Sequence, residues 1–443
     1  MRKVATKPAG WPRAVVRWAT VLLPWLALLT VLHRQHWGRG PVVFAGMLGL
    51  ATLALVARRL VARLPRREPR LLAVLAIGLV AVAALTNLRQ LAGVLAGSER
   101  EIPLADIGAN TFAAGHWIME GENPYAQRAQ LIHRVEHRRG VTQSPDGKLL
   151  MWGLPYDYGY PYFPVMFLWY LPFLSLPLGL HGIRLGNAVL AALTCIAIHR
   201  LLAALRERAS TSTADLQTAR DMAAAPWLGI LAYLAWGGLG VQLFQLGVTD
   251  GVVALLATCG FWALARGRNI VAGLLLGTAQ AAKLLPGPLL VLPAFLWLLG
   301  DDRRGAARLL LSYAVVAVGL VLPFALLDPA RFVTSTIFFY LSMHAGGDST
   351  SLWYFLPQAL RTPFLVAGWG LALATIGLGW LRGRTLGGAV SAAFASYVLL
   401  TAFSPMSHLN YLVAVLPLGA VALAAGAVEP RQAPGGAMLA ARA

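Results

Sequence analysis

Long runs of apolar residues recur from one end of the chain to the other, separated by short polar segments. A helix needs about 20 mostly apolar residues to cross a bilayer, and most of the runs approach that length. The pattern therefore predicts an all-α polytopic membrane protein with a bundle of about 12 transmembrane helices. We place them near residues 14–33, 42–60, 70–93, 183–204, 226–245, 250–265, 269–283, 285–299, 306–327, 363–381, 386–403 and 409–426.

One further apolar run, YFPVMFLWYLPFLSLPLGL at 162–180, is interrupted by prolines. A proline inside a helix removes a hydrogen bond and clashes with the preceding turn, so we do not expect a straight helix here. We expect the run to dip into the membrane without crossing it, which keeps the polar segment 205–222 in the cytoplasm. The alternative is that 201–222 lies outside and that the later turns pair differently.

Composition and charge agree with a membrane protein. The chain is 58% hydrophobic and 12% charged, against about 25% charged residues in soluble domains. The formal charge of +19 does not indicate a nucleic-acid partner, because the basic residues form short clusters between apolar runs. The segment 58–70 contains six Arg and one Glu, and the positive-inside rule places it in the cytoplasm. The loop 98–160, with eight Asp/Glu against six Lys/Arg, is then extracytoplasmic.

These features divide the chain into five parts. The expected parts are an N-terminal helix pair at 1–69 added to the core, an N-terminal half at 70–204 that carries the outer loop, a polar cytoplasmic linker at 205–222, a C-terminal half of helical hairpins at 223–427, and a disordered tail at 428–443.

The stretch DIGANTFAAGHWIMEGENPY, from Asp106 to Tyr125, is polar and begins a short step beyond the third expected helix. At this boundary of the bilayer a carboxylate is partly desolvated, which makes it a stronger base. Asp106 is therefore a candidate general base. The alternative is a helix N-cap or a solvated loop acid, because Asp is a preferred capping residue.

Two ionisable residues of the C-terminal half are candidates for the functional site. Asp250 stands at the outer end of an expected helix, where an acid is a functional candidate, although an N-cap would also place Asp there. Lys283 is the only lysine of this half and lies at the outer turn of the apolar hairpin 269–299. It is either a mobile point charge suited to a lipid phosphate or a lysine that snorkels from a helix end.

Other polar residues fall in the remaining outer turns. His408 follows Ser404 in AFSPMSHLNY, and His344 and Asp348 lie in the loop 328–362. Each alone is by default a loop residue, but the topology gathers them with the three residues above at one membrane face. The chain contains no HExxH, CxxC, Walker A, dinucleotide or GxSxG motif, which excludes the chemistries that those motifs support.

At these residues the chain resembles the GT-C class of membrane glycosyltransferases that use polyprenyl-phosphate sugars, and within it bacterial glycosyltransferase family 87. Asp106 and the helix that ends in GENPY resemble the family's acid, helix and Gly-x-Asn-Pro-Tyr signature. YGYPYFPVMFLWYLPFLSLP resembles its Tyr-x-Tyr-Pro-Pro stretch, with Tyr162 in place of the second Pro. FSPMSHLNYL resembles a late Ser-Pro-x-x-x-His turn.

The helices from VTDGVV to KLLPGP are similar to the family's pair that ends in Lys-x-x-Pro. Here LGVTDG replaces the usual Gly-Gln-x-Asn and looks more like the Asn-Ala-Asp of the mannosyltransferase of GPI-anchor synthesis. Each motif is weak alone, and the resemblance depends on their order and spacing over about residues 100–425.

The resemblance implies a GT-C-like bundle in which 98–160 is the first catalytic loop, in the plasma membrane of a bacterium with the active site facing outside. It implies inverting transfer of a sugar, with mannose favoured, from a polyprenyl-phosphate donor to a lipid-linked or cell-envelope glycan, without metal or cofactor. Membrane lipids are the other expected partners, and no nucleic acid is expected. The implied roles are general base for Asp106, donor-phosphate binding for Lys283 and His408, and substrate binding for Asp250, Tyr125, His344 and Asp348.

Two other classes of function remain open at this stage. A multi-helix transporter or lipid flippase would also explain the helices and the basic cytoplasmic loops, but transporters often contain inverted repeats and we detect none in the sequence. A non-catalytic membrane scaffold would leave the long outer loop without a role.

Overall fold

The computed structural model describes residues 44–52, 104, 106–127, 141–143, 149–151, 154–155, 159–210, 216–236, 238–339, 352–382, 385–404 and 408–425, with isolated residues between 25 and 96. Within these residues the chain is helical apart from one small sheet, which confirms the expected helical fold. The first three expected helices fall mostly outside the described residues, as do the tail 428–443, His344 and Asp348.

The outer loop begins with helix α1, Asp106–Met119. Gly121, with a φ of 80°, ends the helical path, and the side-chain oxygen of Asn123 accepts a hydrogen bond from the Tyr125 amide at 3.1 Å. The loop then contains β1 (Val141–Gln143), β2 (Leu149–Met151) and β3 (Leu154–Pro155), paired antiparallel in that order. The sheet is an addition to the all-α class, and strands of two or three residues are too short to show an alternating pattern.

The run 162–180 is not a straight helix, as its prolines predicted. It forms the four-residue helices α2 (Val165–Leu168) and α3 (Leu171–Leu174), and Pro172 lies in the first turn of α3, where a proline is tolerated. Whether the run crosses the membrane stays a prediction. Helix α4 follows at His181–Ser210.

Each expected helix from residue 183 onward has a counterpart. Helix α5 (Leu216–Leu234) is followed by the short α6 (Gly238–Gly240) and a π-helical turn, Val241–Gln245. Because α4 and α5 extend into 205–222, helices occupy much of the expected linker. The remaining elements are α7 (Gly251–Ala265), α8 (Asn269–Gln280), α9 (Gly287–Leu299), α10 (Arg303–Leu327), α11 (Pro329–Val333), a π-helical turn at Thr334–Phe338, a 3₁₀ turn at Leu352–Phe355, α12 (Gln358–Arg382), α13 (Leu386–Phe403), α14 (Asn410–Val413) and α15 (Leu416–Ala425).

Among the described residues, four helices are long and apolar enough to cross a membrane. They are His181–Arg208, Arg303–Leu327, Gln358–Leu381 and Leu386–Phe403. Ala225–Leu234 and Gly238–Gln245, bent by 62°, would make a fifth span if taken together. The expected number of about 12 spans stays a prediction.

Helices α7, α8 and α9 are apolar but have only 15, 12 and 13 residues. At 1.5 Å per residue such helices cover roughly 20 Å, which is less than the hydrocarbon thickness of about 30 Å. The turn between α7 and α8, at residues 266–268, is exposed, whereas residues 281–283 in the turn between α8 and α9 are buried in the protein interior.

Helix α8 packs closely on α10 through two glycines spaced four residues apart. A Cβ atom at Gly273 would meet the Leu309 carbonyl and the Ser312 side chain, and one at Gly277 would meet the backbone of Tyr313. Small residues at this spacing let two helix backbones approach, as is common in membrane interiors. The contact fixes the helix that leads to the turn containing Lys283.

Candidate functional site

The centre of the candidate site is a buried ion pair between Lys283 and Asp250. The lysine Nζ lies 2.5 Å from the Asp250 Oδ1, and the side chains are 6% and 0% exposed. Helices α7 and α8 form a hairpin, so the residue before α7 and the turn after α8 meet at one end. The positive N-terminus of α7 favours the carboxylate, and the negative C-terminus of α8 favours the ammonium.

This geometry answers two of the alternatives left open by the sequence. Asp250 precedes α7, but its side chain makes no capping hydrogen bond. The ammonium of Lys283 lies inside the protein and does not extend along its surface as a snorkelling lysine would. The two residues are therefore paired with each other instead of serving separate helix ends.

Two tyrosine rings surround the ammonium group. The Lys283 Nζ lies 4.0 Å from the ring centroid of Tyr411 and 5.8 Å from that of Tyr162. A cation over an aromatic face is attracted by the negative face of the ring, and the attraction grows in a desolvated site. His408 lies beside this cluster, with its ring centroid 5.8 Å from that of Tyr411.

The turn that carries Asp250 is held by the side chains of α4. The buried Arg184 guanidinium donates from Nε to the Phe244 carbonyl at 2.9 Å and from Nη2 to the Gln245 carbonyl at 3.2 Å. Asn187 donates from Nδ2 to the carbonyls of Leu243 and Val248, at 2.7 and 3.1 Å. These bonds satisfy carbonyl groups that the end of the π-helical turn leaves without helical partners.

The same turn contacts the start of α1. Gly247 has a φ of 65°, a left-handed conformation that favours glycine, and a Cβ atom at Gly108 would lie 2.5 Å from the Gly247 carbonyl. The first turn of α1 therefore packs on the segment that leads into Asp250. Asp106 is the first residue of that helix, and its side chain lies outside the described residues.

A layer of tyrosines connects α1 with the run 162–180. The buried Tyr125 hydroxyl donates to the Tyr162 carbonyl at 2.9 Å, and the hydroxyls of Tyr160 and Thr111 lie 3.1 Å apart. Burial raises the pKa of the Tyr125 phenol, and the nearby Tyr160 raises it further. The Tyr125 hydroxyl therefore keeps its proton and remains a donor.

The turn around Lys283 is fixed at both ends. The Val165 amide donates to the Ala281 carbonyl at 3.0 Å, which joins α2 to the turn. The Gln280 Nε2 donates to the Leu284 carbonyl at 2.8 Å, and its Oε1 accepts from the Tyr313 hydroxyl at 2.9 Å. The lysine therefore projects from a turn that its neighbours hold in place.

The structure brings some of the expected site residues together. Asp250 and Lys283 are in direct contact, and His408 lies next to Tyr411. Tyr125 lies one step away, through its bond to Tyr162. His344 and Asp348 lie outside the described residues.

Several residues of the site were missed in the sequence. Tyr411 follows His408 by three residues, and nothing local distinguishes it from an ordinary interfacial tyrosine. Arg184 and Asn187 did carry a signal, because polar residues inside an apolar run are functional candidates.

The ammonium of the pair offers hydrogen-bond donors to an anionic ligand. The described residues contain no group of three or more His, Cys, Asp or Glu that could hold a metal. The ammonium carries three donors, of which one is engaged by Asp250. A phosphate oxygen at the remaining donors would gain a charge-assisted hydrogen bond.

Comparison with known proteins found similarity at the level of shape. No protein-family model matches the sequence, and no curated protein is similar to it. The chain is similar to the crystal structure of ArnT from Cupriavidus metallidurans bound to undecaprenyl phosphate, with a TM-score of 0.45 and 17% identity over 79% of this chain and 59% of ArnT. For the apo state the TM-score is 0.42 and the identity and coverage are the same. The chain thus spans about three-fifths of the length of ArnT.

The first prediction concerns the stability of the ion pair. Lys283→Met or Asp250→Asn alone should lower the free energy of unfolding by up to about 3–5 kcal/mol, because each leaves one buried charge without its partner. The double variant should recover most of that loss. Unfolding of the purified protein in detergent micelles measures all three changes.

The control is the exposed pair of Glu207 and Arg266, whose side chains are 53% and 40% exposed. Glu207→Gln should change stability by less than about 1 kcal/mol, the usual contribution of a surface ion pair. Single variants of the buried pair that unfold like the wild type would show that its charges are solvated.

Proposed function

We propose that this chain is an integral membrane glycosyltransferase that transfers a sugar, with mannose favoured, from a polyprenyl-phosphate donor to a lipid-linked or cell-envelope glycan, with inversion. The observation that carries the proposal is the buried pair of Lys283 and Asp250 beneath Tyr411, at the end of a hairpin of short apolar helices. An ionisable pair inside a membrane protein is a functional candidate by default.

The lysine is assigned to the donor phosphate. When the bond between the sugar and the phosphate breaks, its electron pair stays on the phosphate oxygen, which gains negative charge. A fixed cation in a dry site stabilises that charge in the transition state, and no general acid is required. His408, whose ring lies next to that of Tyr411, is the second candidate for this contact.

The general base is assigned to Asp106. It would take the proton of the acceptor hydroxyl while the hydroxyl oxygen bonds to the sugar carbon from the face opposite the phosphate. The packing of Gly108 on Gly247 supports this assignment, because it brings the start of α1 against the turn that leads to Asp250. Base and phosphate site would then lie on the two sides of one cleft.

The substrate-binding assignments extend the same site. Tyr125 is held by its bond to the backbone carbonyl of Tyr162, whose ring lies near the ammonium. His344 and Asp348 are assigned to the same face from their place in the sequence. The active site would face outside the plasma membrane, where a polyprenyl-linked sugar is used.

A second candidate is a lipid or solute transporter. The buried ion pair favours it as well, because paired charges inside a helical bundle also mark transport pathways. The two functions differ in what happens to the substrate. A transporter moves an intact molecule, whereas the proposed enzyme breaks the bond between sugar and phosphate.

The second prediction tests the general base. Asp106→Asn should lower turnover by about 10²–10⁴, the usual contribution of a positioned base. The measurement is transfer of radiolabelled sugar from polyprenyl-phosphate donors, scored in both lipid and glycan fractions. The matched control is Glu120→Gln just after the same helix, where the side chain is exposed; it should transfer sugar at the wild-type rate. Near-normal turnover of Asp106→Asn would remove this residue from the mechanism.

The third prediction separates a catalytic lysine from a structural one. Lys283→Met should lower the rate by about 30- to 1,000-fold, because a charge-assisted contact in the transition state is worth about 2–4 kcal/mol. The double variant Lys283→Met/Asp250→Asn should regain stability but not activity. Lys283→Arg should recover only part of the rate, since its planar guanidinium places the charge differently.

Initial rates against donor concentration measure this effect at a temperature where every variant is folded. A double variant that recovers more than about half of the activity would reduce the lysine to a structural role, on a scale where tenfold is 1.36 kcal/mol. Failure of every protein, wild type included, to transfer sugar while liposomes show lipid or solute movement would favour the transporter.

The fourth prediction concerns the side of the membrane. In a background of Cys195→Ala and Cys259→Ala, the exposed Glu122 is changed to Cys in one variant and the exposed Asp301 in another. An impermeant thiol reagent on intact cells should label Glu122→Cys and leave Asp301→Cys unlabelled. The reverse pattern would place the candidate site in the cytoplasm.

A further inference from the structure

Asp250 does more than balance a charge if the proposed function holds. It is fully buried, its side chain makes no capping hydrogen bond to α7, and its Oδ1 is bonded to the Lys283 ammonium. An anionic ligand at Lys283 would therefore meet a carboxylate that already occupies one side of the cation.

Stability alone does not account for this pair. Removing two charges from water costs about as much as their attraction returns, and apolar residues of similar volume often serve as well or better. The rings of Tyr411 and Tyr162 already surround the site, so an apolar pair would fit its surroundings. Binding a phosphate requires only the cation. The presence of the Asp250 carboxylate beside it therefore needs a separate explanation.

The two phosphate lipids of the proposed reaction differ in charge. The sugar-bearing donor is a phosphodiester with one negative charge. The polyprenyl phosphate that remains after transfer is a monoester, which carries a charge of about −1.5 to −2 at neutral pH. A lone lysine would hold the spent product more tightly than the donor.

We propose that Asp250 is the resident counter-ion of Lys283 and that it cancels this preference for the spent polyprenyl phosphate. The inference rests on the proposed function. The lysine attracts each additional negative charge on the lipid and the carboxylate repels it, so the neutral pair discriminates little between monoester and diester. The carboxylate thereby opposes product inhibition. When the monoester leaves, the ion pair between Asp250 and Lys283 forms again.

The first arm of the test uses the wild-type protein. Binding of undecaprenyl phosphate and of its methyl diester is measured in detergent micelles at about pH 8, where the monoester is a dianion because its second pKa is about 6. The two dissociation constants should agree within about threefold, since the opposite charges of the pair nearly cancel. A monoester that binds the wild type tenfold or more tightly than the diester, about 1.4 kcal/mol, would overturn the proposal.

The second arm changes the charge of the site. Asp250→Asn should raise the affinity for the monoester about tenfold more than that for the diester, or 1.4 kcal/mol in the ratio, and should strengthen inhibition by undecaprenyl phosphate in the transfer assay. The double variant Asp250→Asn/Lys283→Gln is neutral again, and its ratio should return to the wild-type value. An unchanged ratio in Asp250→Asn would overturn the proposal. If that single variant does not fold, the wild-type ratio decides.

The matched control removes one carboxylate elsewhere. Asp302→Asn changes the residue that caps α10 by accepting from the Gly305 amide, and Asn is an equally good cap. Its monoester-to-diester ratio should equal that of the wild type. A shift as large as that of Asp250→Asn would show that net charge alone sets the ratio, and would overturn the proposal.

The results also separate this inference from the function on which it rests. If the wild type transfers sugar and the monoester-to-diester ratio is the same in Asp250→Asn as in the wild type, the glycosyltransferase function is retained and the counter-ion role of Asp250 is wrong. A wild type that transfers no sugar and binds neither phosphate lipid would overturn both.

Discussion

The buried attraction between Lys283 and Asp250 is the interaction on which the rest of the candidate site depends. The charges lie 33 residues apart in sequence and meet because α7 and α8 form a hairpin of nearly equal arms. Helix dipoles favour the sign of each charge at its own helix end. Because neither charge reaches water, every neighbouring element must either satisfy the pair or keep solvent away from it.

The surrounding structure serves that requirement through backbone contacts rather than through more charges. Arg184 and Asn187 bind carbonyl groups of the π-helical turn before Asp250, and π-helical turns are frequent at functional sites. Gly108 lets α1 approach the same turn. The site therefore contains two charged groups that many hydrogen bonds and packing contacts hold in place. Such a site is preorganised for electrostatic interaction with a ligand.

The sequence predicted the helices well and the site only in part. Apolar runs located the long helices from α4 onward, and their prolines predicted the break at 162–180. The short α11 lies in a segment that was expected to be a loop. The sequence predicted that Asp250 and Lys283 lie at the same ends of neighbouring helices. It did not predict their direct pairing, because each residue alone had an adequate explanation at a helix end. Tyr411 could not be found, since its contact with Lys283 depends on how α14 packs against the turn after α8.

The acceptors of Arg184 show why hydrogen bonds that hold the site in place cannot be predicted from the sequence. Its partners are the main-chain carbonyls of Phe244 and Gln245, and a carbonyl leaves no mark in a pattern of side chains. The sequence shows only a charged residue inside an apolar helix. Its charge implies a polar partner but does not identify that partner. In this chain the ionisable residues mark where the apolar pattern is interrupted, and the backbone geometry between them determines which residues meet.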